Sequence, residues 1–180
     1  IRWMKLHAQE YGGNADKIAL WGDSSGAHTI LMAGFTGDSY PDNGTYGQVS
    51  CQVNCLVDWF GPSDFENCPY YPSIIEHQSP ESGLGVLLGG KSVLDCPEEA
   101  RKASPISYVT ADKTLPSTLI MHGNMDAIVP FNQSVRLYEK MKECGQDVEM
   151  ICVDGAGHGY GGFSNDGALE IVEKYIRRHL

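Results

Sequence analysis

The chain has 180 residues, of which 42% are hydrophobic and 20% are charged, a composition typical of one globular domain with a substantial core. Acidic residues outnumber basic residues by 23 to 13, and the formal charge of −10 argues against nucleic acid and against an anionic membrane as partners. No apolar run in the sequence approaches the roughly 18 residues that a membrane-spanning helix needs.

The first part of the chain predicts a helix, a strand and a second helix. Apolar residues at Ile1, Met4 and Ala8 recur at helical spacing before a pair of glycines. Residues 17–21 (KIALW) then predict a short apolar strand, and residues 25–33 (SGAHTILMA) predict a helix rich in small residues. Because the sequence has no initiator methionine and begins inside the first helical pattern, we expect that part of a larger domain precedes it.

Three further strands and two helices are predicted in alternation. Buried strands are expected at 53–61 (VNCLVDWFG), 117–123 (STLIMHG) and 147–153 (DVEMICV), and helices at 131–144 and 168–179. Strands separated by helical segments imply right-handed crossovers and a parallel sheet. The predicted fold class is therefore α/β, with helices flanking a parallel sheet.

The segment from 62 to 116 departs from this alternation. It is rich in proline, glycine, tyrosine and serine, and we expect a cap-like excursion over the carboxyl ends of the strands. One short helix is predicted inside the excursion, with Asp95 as its N-cap, Pro97 in its first turn and Glu98 as the capping-box partner. Together with the excursion, residues 1–180 are expected to form a single domain.

The stretch WGDSSGAH at 21–28 contains a GxSxG pattern between the first strand and the second helix. In a chain with 21 glycines the pattern alone is weak evidence, but a preceding strand and a following helix are the setting of a nucleophile elbow. The middle residue of such an elbow sits in a strained turn that lifts its hydroxyl above the sheet, which selects Ser24 as the nucleophile. Ser25 would offer its backbone N–H, at the positive end of the helix, to an oxyanion. The alternative is a turn that merely joins strand to helix.

A serine nucleophile needs a general base, and the sequence offers six histidines. His158 follows the last strand in a glycine-rich loop, DGAGHGYGG, that can carry its side chain to the strand ends, and it is the predicted base. His122 ends a strand and is expected to orient a loop. His28, one helical turn beyond Ser24, is expected to pack or to make a local hydrogen bond. The other three are expected at the surface or at helix ends: His7, His77 and His179.

The acid that orients the base is predicted to be Asp126. It lies in HGNMDAIVP after the third strand, which places serine, aspartate and histidine in that order on successive strand ends. Asp58, at the end of the 53–61 strand, is the rival, because an acid can also be supplied from that strand. Asp154 is too near His158 in sequence to reach it comfortably.

We expect neither a metal ion nor a cofactor. His122, Asp126 and His158 together would offer metal ligands, but a metal site there would leave Ser24 without a role. The cysteines include no CxxC pair, and their scatter favours free thiols in a reducing compartment such as the cytoplasm. The alternative is disulfide bonding among Cys51, Cys55, Cys68 and Cys96.

Four stretches, WGDSSGAH, DWFGPSDF, HGNMDAIVP and DGAGHG, resemble in order and spacing the carboxyl-terminal half of an α/β-hydrolase. The likeness is strongest to the bacterial feruloyl and acetyl esterase branch, with carboxylesterases of the hormone-sensitive-lipase type close behind. It covers essentially the whole chain. The resemblance implies Ser24 as nucleophile, Asp126 as acid, His158 as base and the N–H of Ser25 as an oxyanion donor. The four strands would be the fifth to the eighth of an eight-stranded sheet.

The sequence departs from this family pattern at its beginning. The HGG loop that supplies the family's other oxyanion donor does not occur in it, and the family's first four strands would precede Ile1. We expect a serine esterase that acts on short acyl or feruloyl esters, including esters on carbohydrate. Whether the 180-residue chain is active by itself stays open. The alternatives are a non-catalytic fragment or interaction module, or an amidase or peptidase of the same fold. An oligopeptidase is disfavoured, because SSGAH lacks the aromatic residue usual after that family's serine.

An open sheet edge is a further consequence of the resemblance. The 17–21 strand would be internal in the complete family sheet, whereas here one of its sides would lack a neighbour. Unpaired N–H and C=O groups on an edge strand pair readily with another chain. We therefore expect homo-oligomers with residues 18–21 at or near the interface.

Overall fold

The structure is a computed structural model, and it describes residues 1–39 and 44–180. A four-stranded sheet lies at its centre, in the spatial order β1, β2, β3 and β4. The strands are β1 (Ala19–Asp23), β2 (Cys55–Trp59), β3 (Ser117–Gly123) and β4 (Val148–Val153). All three pairs of neighbouring strands are parallel. The α/β class and the parallel sheet predicted from the sequence are confirmed.

Helices occupy the connections between the strands. They are α1 (Arg2–His7), α2 (Ser25–Thr36), α3 (Gly83–Leu87), α4 (Pro97–Lys102), α5 (Asn132–Glu143) and α6 (Asp166–His179). Three of them, α2, α5 and α6, correspond to the predicted helices, with ends displaced by up to three residues. The predicted opening helix ends at His7 and continues as a 3-10 turn, Ala8–Tyr11, which Gly12 closes in the left-handed conformation at φ 74°.

The two faces of the sheet are covered by different helices. Val57 of β2 faces a core that includes Val172 of α6, whereas the adjacent Leu56 faces a core that includes Leu31 of α2 and Leu137 of α5. Successive side chains of a strand point to opposite faces, so a central strand must be apolar throughout to serve both cores. Each fully buried aliphatic side chain of this kind contributes about 1.5–3 kcal/mol to stability. This packing fixes the carboxyl ends of the strands, where the candidate site lies.

The excursion from 62 to 116 contains two short helices, α3 and α4, where one was predicted. The predicted cap of α4 is wrong: Cys96, not Asp95, is its N-cap residue, and no side-chain hydrogen bond caps the helix. Proline favours the first helical position, so Pro97 makes its immediate predecessor the cap. Glu98 lies in the first turn, where its charge suits the helix dipole without a capping box.

The six cysteines are free thiols in the structure, from the exposed Cys152 to the buried Cys55 and Cys68. Within residues 1–39 and 44–180, no helix combines the length and the apolar character needed to cross a bilayer.

Candidate active site

Ser24 connects β1 to α2 in a backbone conformation that few residues other than glycine adopt. Its φ is 51° and its ψ is −121°. Such a conformation is strained and persists only where the surrounding structure holds it. The N–H of Ser24 donates to the carbonyl oxygen of Trp59 at 2.8 Å, which ties the turn to the end of β2. A serine held in a strained turn between strand and helix is the geometry of a nucleophile elbow.

The two glycines of the GxSxG pattern differ in the space around them. A Cβ atom on Gly22 would lie 2.5 Å from the carbonyl carbon of Gly26 and 2.6 Å from its oxygen. A Cβ atom on Gly26 would meet the carboxylate oxygen of Asp23 at 3.8 Å, an ordinary contact distance. The first turn of α2 therefore presses directly on Gly22, whereas Gly26 has room for a side chain.

Ser24, His158 and Asp126 form a continuous chain of hydrogen bonds. Nε2 of His158 lies 2.9 Å from Oγ of Ser24, and Nδ1 of His158 lies 2.7 Å from Oδ2 of Asp126. A carboxylate can only accept, so Nδ1 carries the hydrogen and Nε2 offers its lone pair to the serine O–H. His158 is thus in the tautomer that can remove the proton of Ser24.

The carboxyl group of Asp126 is buried and accepts four N–H groups. Oδ1 accepts from the backbone of Ile128 at 2.8 Å and of Val129 at 2.9 Å. Oδ2 accepts from His158 and, at 3.2 Å, from Nε2 of His122. Burial raises the pKa of Asp126, but the hydrogen bonds from His122, His158 and Ile128 outweigh it and hold that pKa well below its usual range. Asp126 is therefore an ionised acceptor at neutral pH.

The loops that carry the acid and the histidine are tied to each other. The backbone N–H of Met125 donates to the carbonyl oxygen of Ala156 at 2.9 Å, and that of Gly155 donates to Oδ1 of Asn124 at 2.8 Å. A Cβ atom on Gly123 would lie 2.2 Å from the Ala156 oxygen, so only glycine allows this approach. The loops after β3 and β4 are consequently held in one relative position.

Phe60 supports the histidine ring from the end of β2. Its ring centroid lies 4.6 Å from that of His158 and 4.7 Å from that of Phe163. Its φ of 46° is unusual for a bulky residue, and its N–H donates to the carbonyl oxygen of Met121 at 2.9 Å. The role of Phe60 could not be predicted from the sequence, because an aromatic residue in an apolar run gives no sign of a positive φ.

Two of the histidines outside this hydrogen-bond chain are held in place by hydrogen bonds of their own. His28 lies 2.8 Å from the carbonyl oxygen of Ala103 through its Nε2 and stacks on Phe65, as expected for a packing role. Burial lowers the pKa of His28. The surface position expected for His77 is wrong: it is buried, with Nε2 3.0 Å from the carbonyl oxygen of Ile128, because the excursion folds back onto the loop after β3. The remaining two lie at helix ends, as expected: His7 and His179.

Ser25 is the first residue of α2, and its side chain is exposed. The first four N–H groups of a helix have no partner within the helix and point outward from its amino end. The N–H of Ser25, next to the Ser24 hydroxyl, is therefore available to an oxygen that develops negative charge. The HGG sequence that would supply a second donor does not occur in the chain.

The described residues contain no group of three or more histidine, cysteine, aspartate or glutamate side chains that could hold a metal ion. His122 and His158 each direct a ring nitrogen at the same oxygen of Asp126. The imidazoles thus act as N–H donors to a carboxylate and do not aim lone pairs at a common point.

The rival acid, Asp58, is fully buried at the end of β2. Its Oδ1 accepts the N–H of Gly61 at 2.8 Å, and its Oδ2 has no hydrogen-bond partner among the described residues. Burial raises the pKa of Asp58 to about 7, against the lowering effect of the Gly61 hydrogen bond. The carboxylate that contacts His158 is that of Asp126.

We expect Asp58→Asn to be more stable than wild type at pH 8, and we expect this difference to be much smaller at pH 4.5. A native pKa raised above the unfolded value favours the protonated form, so the contribution of Asp58 is greatest at low pH and falls as the pH rises through about 4 to about 7. Asparagine does not ionise. At pH values above about 7, the free energy of unfolding of the variant should therefore exceed that of wild type by roughly 2–4 kcal/mol. Urea unfolding at both pH values measures it, with the exposed Asp16→Asn as the control for net charge. The same stability difference at both pH values would contradict the prediction.

The sequence matches the family model BD-FAE over residues 1–141. The chain belongs to the BD-FAE family. BD-FAE proteins are α/β-hydrolases of the carboxylic ester hydrolase class, with carbohydrate and feruloyl esterases among them. The resemblance predicted from the four sequence stretches is thereby confirmed. The match includes Ser24 and Asp126 and ends before His158.

Two curated relatives of the BD-FAE chain come from Mycobacterium tuberculosis. Esterase LipC is 27% identical over 167 residues, which are 89% of this chain and 39% of LipC. Probable carboxylic ester hydrolase LipM is 26% identical over 148 residues, which are 79% of this chain and 32% of LipM. The chain thus spans less than half the length of these relatives.

Solved structures show the same fold. A structure described as a truncated form of carbohydrate esterase from gut microbiota has a TM-score of 0.88 and 27% identity, with 99% of this chain and 65% of that chain covered. A bifunctional GH43-CE protein of Bacteroides eggerthii has a TM-score of 0.86 and 26% identity, with 99% of this chain and 24% of that one covered. This chain therefore corresponds to one part of each of these larger structures.

Proposed function

We propose that this protein hydrolyses carboxylic esters through an acyl-enzyme formed on Ser24. The observation that carries the proposal is the hydrogen-bond chain from Ser24 through His158 to Asp126, which starts at a strained turn. Membership of a family of ester hydrolases supports ester rather than amide substrates.

The reaction begins when Oγ of Ser24 bonds to the ester carbonyl carbon as its proton passes to Nε2 of His158. The carbonyl oxygen gains negative charge and accepts the N–H of Ser25, while ionised Asp126 stabilises the imidazolium. Collapse of this intermediate expels the alcohol oxygen, which takes the proton from His158. Water then attacks the acyl group by the same proton route, which releases the carboxylic acid and restores Ser24.

We propose short acyl or feruloyl esters, including esters on carbohydrate, as substrates. A cleft of about 280 Å³ adjoins the elbow, with Gly22 and Asp23 in its wall. Its other lining residues include four aromatic rings: Trp21, Trp59, Phe60 and Phe163. Trp59, Phe60 and Phe163 are buried, whereas Trp21 is exposed and offers a flat apolar surface to a planar acyl group or to the apolar face of a sugar. The carbohydrate esterase among the similar structures supports the same substrate class.

Hydrolysis of p-nitrophenyl acetate, methyl ferulate and p-nitroacetanilide by the full natural gene product tests this function. We expect turnover of the esters, with a rate that falls as the pH drops through about 6 to 7, where histidine side chains take up a proton. Turnover of the anilide alone would instead indicate the amidase. A folded protein that cleaves none of the three would indicate a non-catalytic module.

The predicted homo-oligomer concerns the edge of β1. This strand pairs with β2, and among the described residues no strand pairs with its other side. Trp21 on this strand is 45% exposed. We propose that, in the 180-residue chain expressed alone, the edge pairs with that of a second copy.

Trp21→Lys tests this pairing, because a charged side chain on an edge strand opposes association. We expect light scattering at micromolar concentration to show a dimer or larger assembly for the wild-type 180-residue chain and a shift towards monomer for Trp21→Lys. A folded wild-type monomer under these conditions would contradict the proposal.

A further inference from the structure

His122 is a fully buried histidine at the end of β3 that contacts the candidate acid directly. Its Nε2 lies 3.2 Å from Oδ2 of Asp126 and 3.1 Å from the carbonyl oxygen of Val129. Oδ2 is the oxygen that also accepts from His158. Two imidazole rings therefore share one carboxylate oxygen, and only one of them also reaches the serine.

The tautomer of His122 follows from its neighbours. A carbonyl oxygen can only accept, so the Nε2 that faces Val129 carries the hydrogen and shares it between Val129 and Asp126. The opposite nitrogen, Nδ1, lies 2.7 Å from Oγ of Ser134 and accepts its O–H. Ser134 is buried near the start of α5, so this helix holds the ring of His122 through its Nδ1 while Val129 sets which nitrogen donates to the acid.

The surroundings leave the ring of His122 little freedom. Phe131 lies edge-on at a centroid distance of 5.4 Å, and Phe60 at 6.3 Å. The titratable groups that face His122 are Asp126 and, through it, His158. The other neighbouring elements present the Ser134 hydroxyl, the Val129 carbonyl and these two aromatic rings.

We propose that His122 is a positioning residue for the ester hydrolysis proposed above, on which this inference rests. Its N–H holds Oδ2 of Asp126 in the place where that oxygen accepts from His158. The Val129 carbonyl sets the tautomer that makes this possible, and Ser134 holds the ring in place. The hydrogen-bond chain of the site thus runs over five side chains: Ser134, His122, Asp126, His158 and Ser24.

Loss of the His122 donor has two consequences for the base. The Asp126 carboxylate loses one of the two groups that fix Oδ2, so the imidazole of His158 is aligned less well with the serine. The same oxygen, with one hydrogen bond fewer, attracts the protonated form of His158 more strongly. Activity per site should fall, and the acid limb of the pH profile should move to higher pH.

His122→Leu and His122→Gln in the full natural gene product test the proposal. Leucine removes the donor, whereas glutamine can place an amide N–H near the position of Nε2. Active sites are counted by labelling with a fluorophosphonate, so that kcat refers to folded, reactive enzyme. For His122→Leu we expect kcat to fall about 10- to 100-fold and KM to stay within about threefold of wild type. We also expect the acid limb of kcat/KM to move to higher pH by about 0.3 pH units or more. For His122→Gln we expect kcat within about fivefold of wild type and the wild-type acid limb.

The outcomes separate this inference from the function on which it rests. A wild-type protein that neither labels nor hydrolyses esters would overturn the proposed function. A wild-type protein that does both, beside a His122→Leu variant with wild-type kcat per labelled site and an unmoved acid limb, would overturn only the positioning role. If His122→Leu does not fold, Ser134→Ala replaces it, because loss of the hydrogen bond to Nδ1 lets the ring move and weakens its N–H contact with Asp126. A smaller change in the same direction supports the proposal, and wild-type kcat and acid limb in Ser134→Ala would overturn it.

Discussion

Ser24→Ala is expected to lower kcat for p-nitrophenyl acetate by about 10⁴-fold or more, because no covalent intermediate can form without the hydroxyl. The adjacent Ser25→Ala removes a hydroxyl of the same kind but keeps the backbone N–H, and should retain activity within about tenfold. The two variants differ by the position of one oxygen atom, so they form a matched pair.

The contrast between the two serines rests on backbone geometry. Ser24 has a φ of 51° and its Oγ lies 2.9 Å from Nε2 of His158, whereas Ser25 begins α2 with an exposed side chain. Circular dichroism of both variants checks that the fold is intact. Loss of activity in Ser25→Ala with retention in Ser24→Ala would show that the nucleophile is assigned to the wrong serine.

Gly22→Ala should be the more damaging of two alanine substitutions in the elbow. Its Cβ would lie 2.5 Å and 2.6 Å from the carbonyl atoms of Gly26 and 2.8 Å from the nitrogen of Ala27, all of them backbone atoms. Relief of these contacts requires α2 to move away from β1 and carries Ser24 with it. We expect a loss of stability of about 3 kcal/mol and a fall in kcat/KM of about 100-fold or more.

Gly26→Ala is the control for this substitution. Its Cβ would have an ordinary contact at 3.8 Å with Asp23, and alanine loses less backbone entropy than glycine when the first turn of α2 forms. We expect a stability equal to or above that of wild type, with a change in kcat/KM of less than about tenfold. Denaturant unfolding and steady-state kinetics measure both variants. Equal effects at the two positions would contradict the crowding at Gly22.

The sequence predicted those parts of the fold that depend on local patterns. Strand β3 was predicted with its observed bounds, Ser117–Gly123, because a continuous apolar run ends there at turn residues. Ser24, Asp126 and His158 could be selected because each follows a predicted strand, and parallel strands end at one edge of a sheet. The structure brings these three side chains into hydrogen-bond contact, and their catalytic roles stay a prediction.

The rest depends on contacts between distant segments, which local patterns do not contain. His77 is buried because the excursion returns to the Ile128 loop, 51 positions further along the chain. His122 meets Asp126 through the path of a tight loop and is oriented by Ser134 of α5. The GxSxG pattern also treats its two glycines alike, although α2 crowds only Gly22.

Mass spectrometry of the full natural gene product after reaction with a fluorophosphonate tests the central claim most directly. A serine activated by a histidine forms a stable adduct with such a reagent, whereas an ordinary surface hydroxyl does not. We expect one adduct per chain, on Ser24, and no adduct in Ser24→Ala. An adduct on Ser25, or a folded protein that carries no adduct, would contradict the proposal that Ser24 is the nucleophile of an esterase.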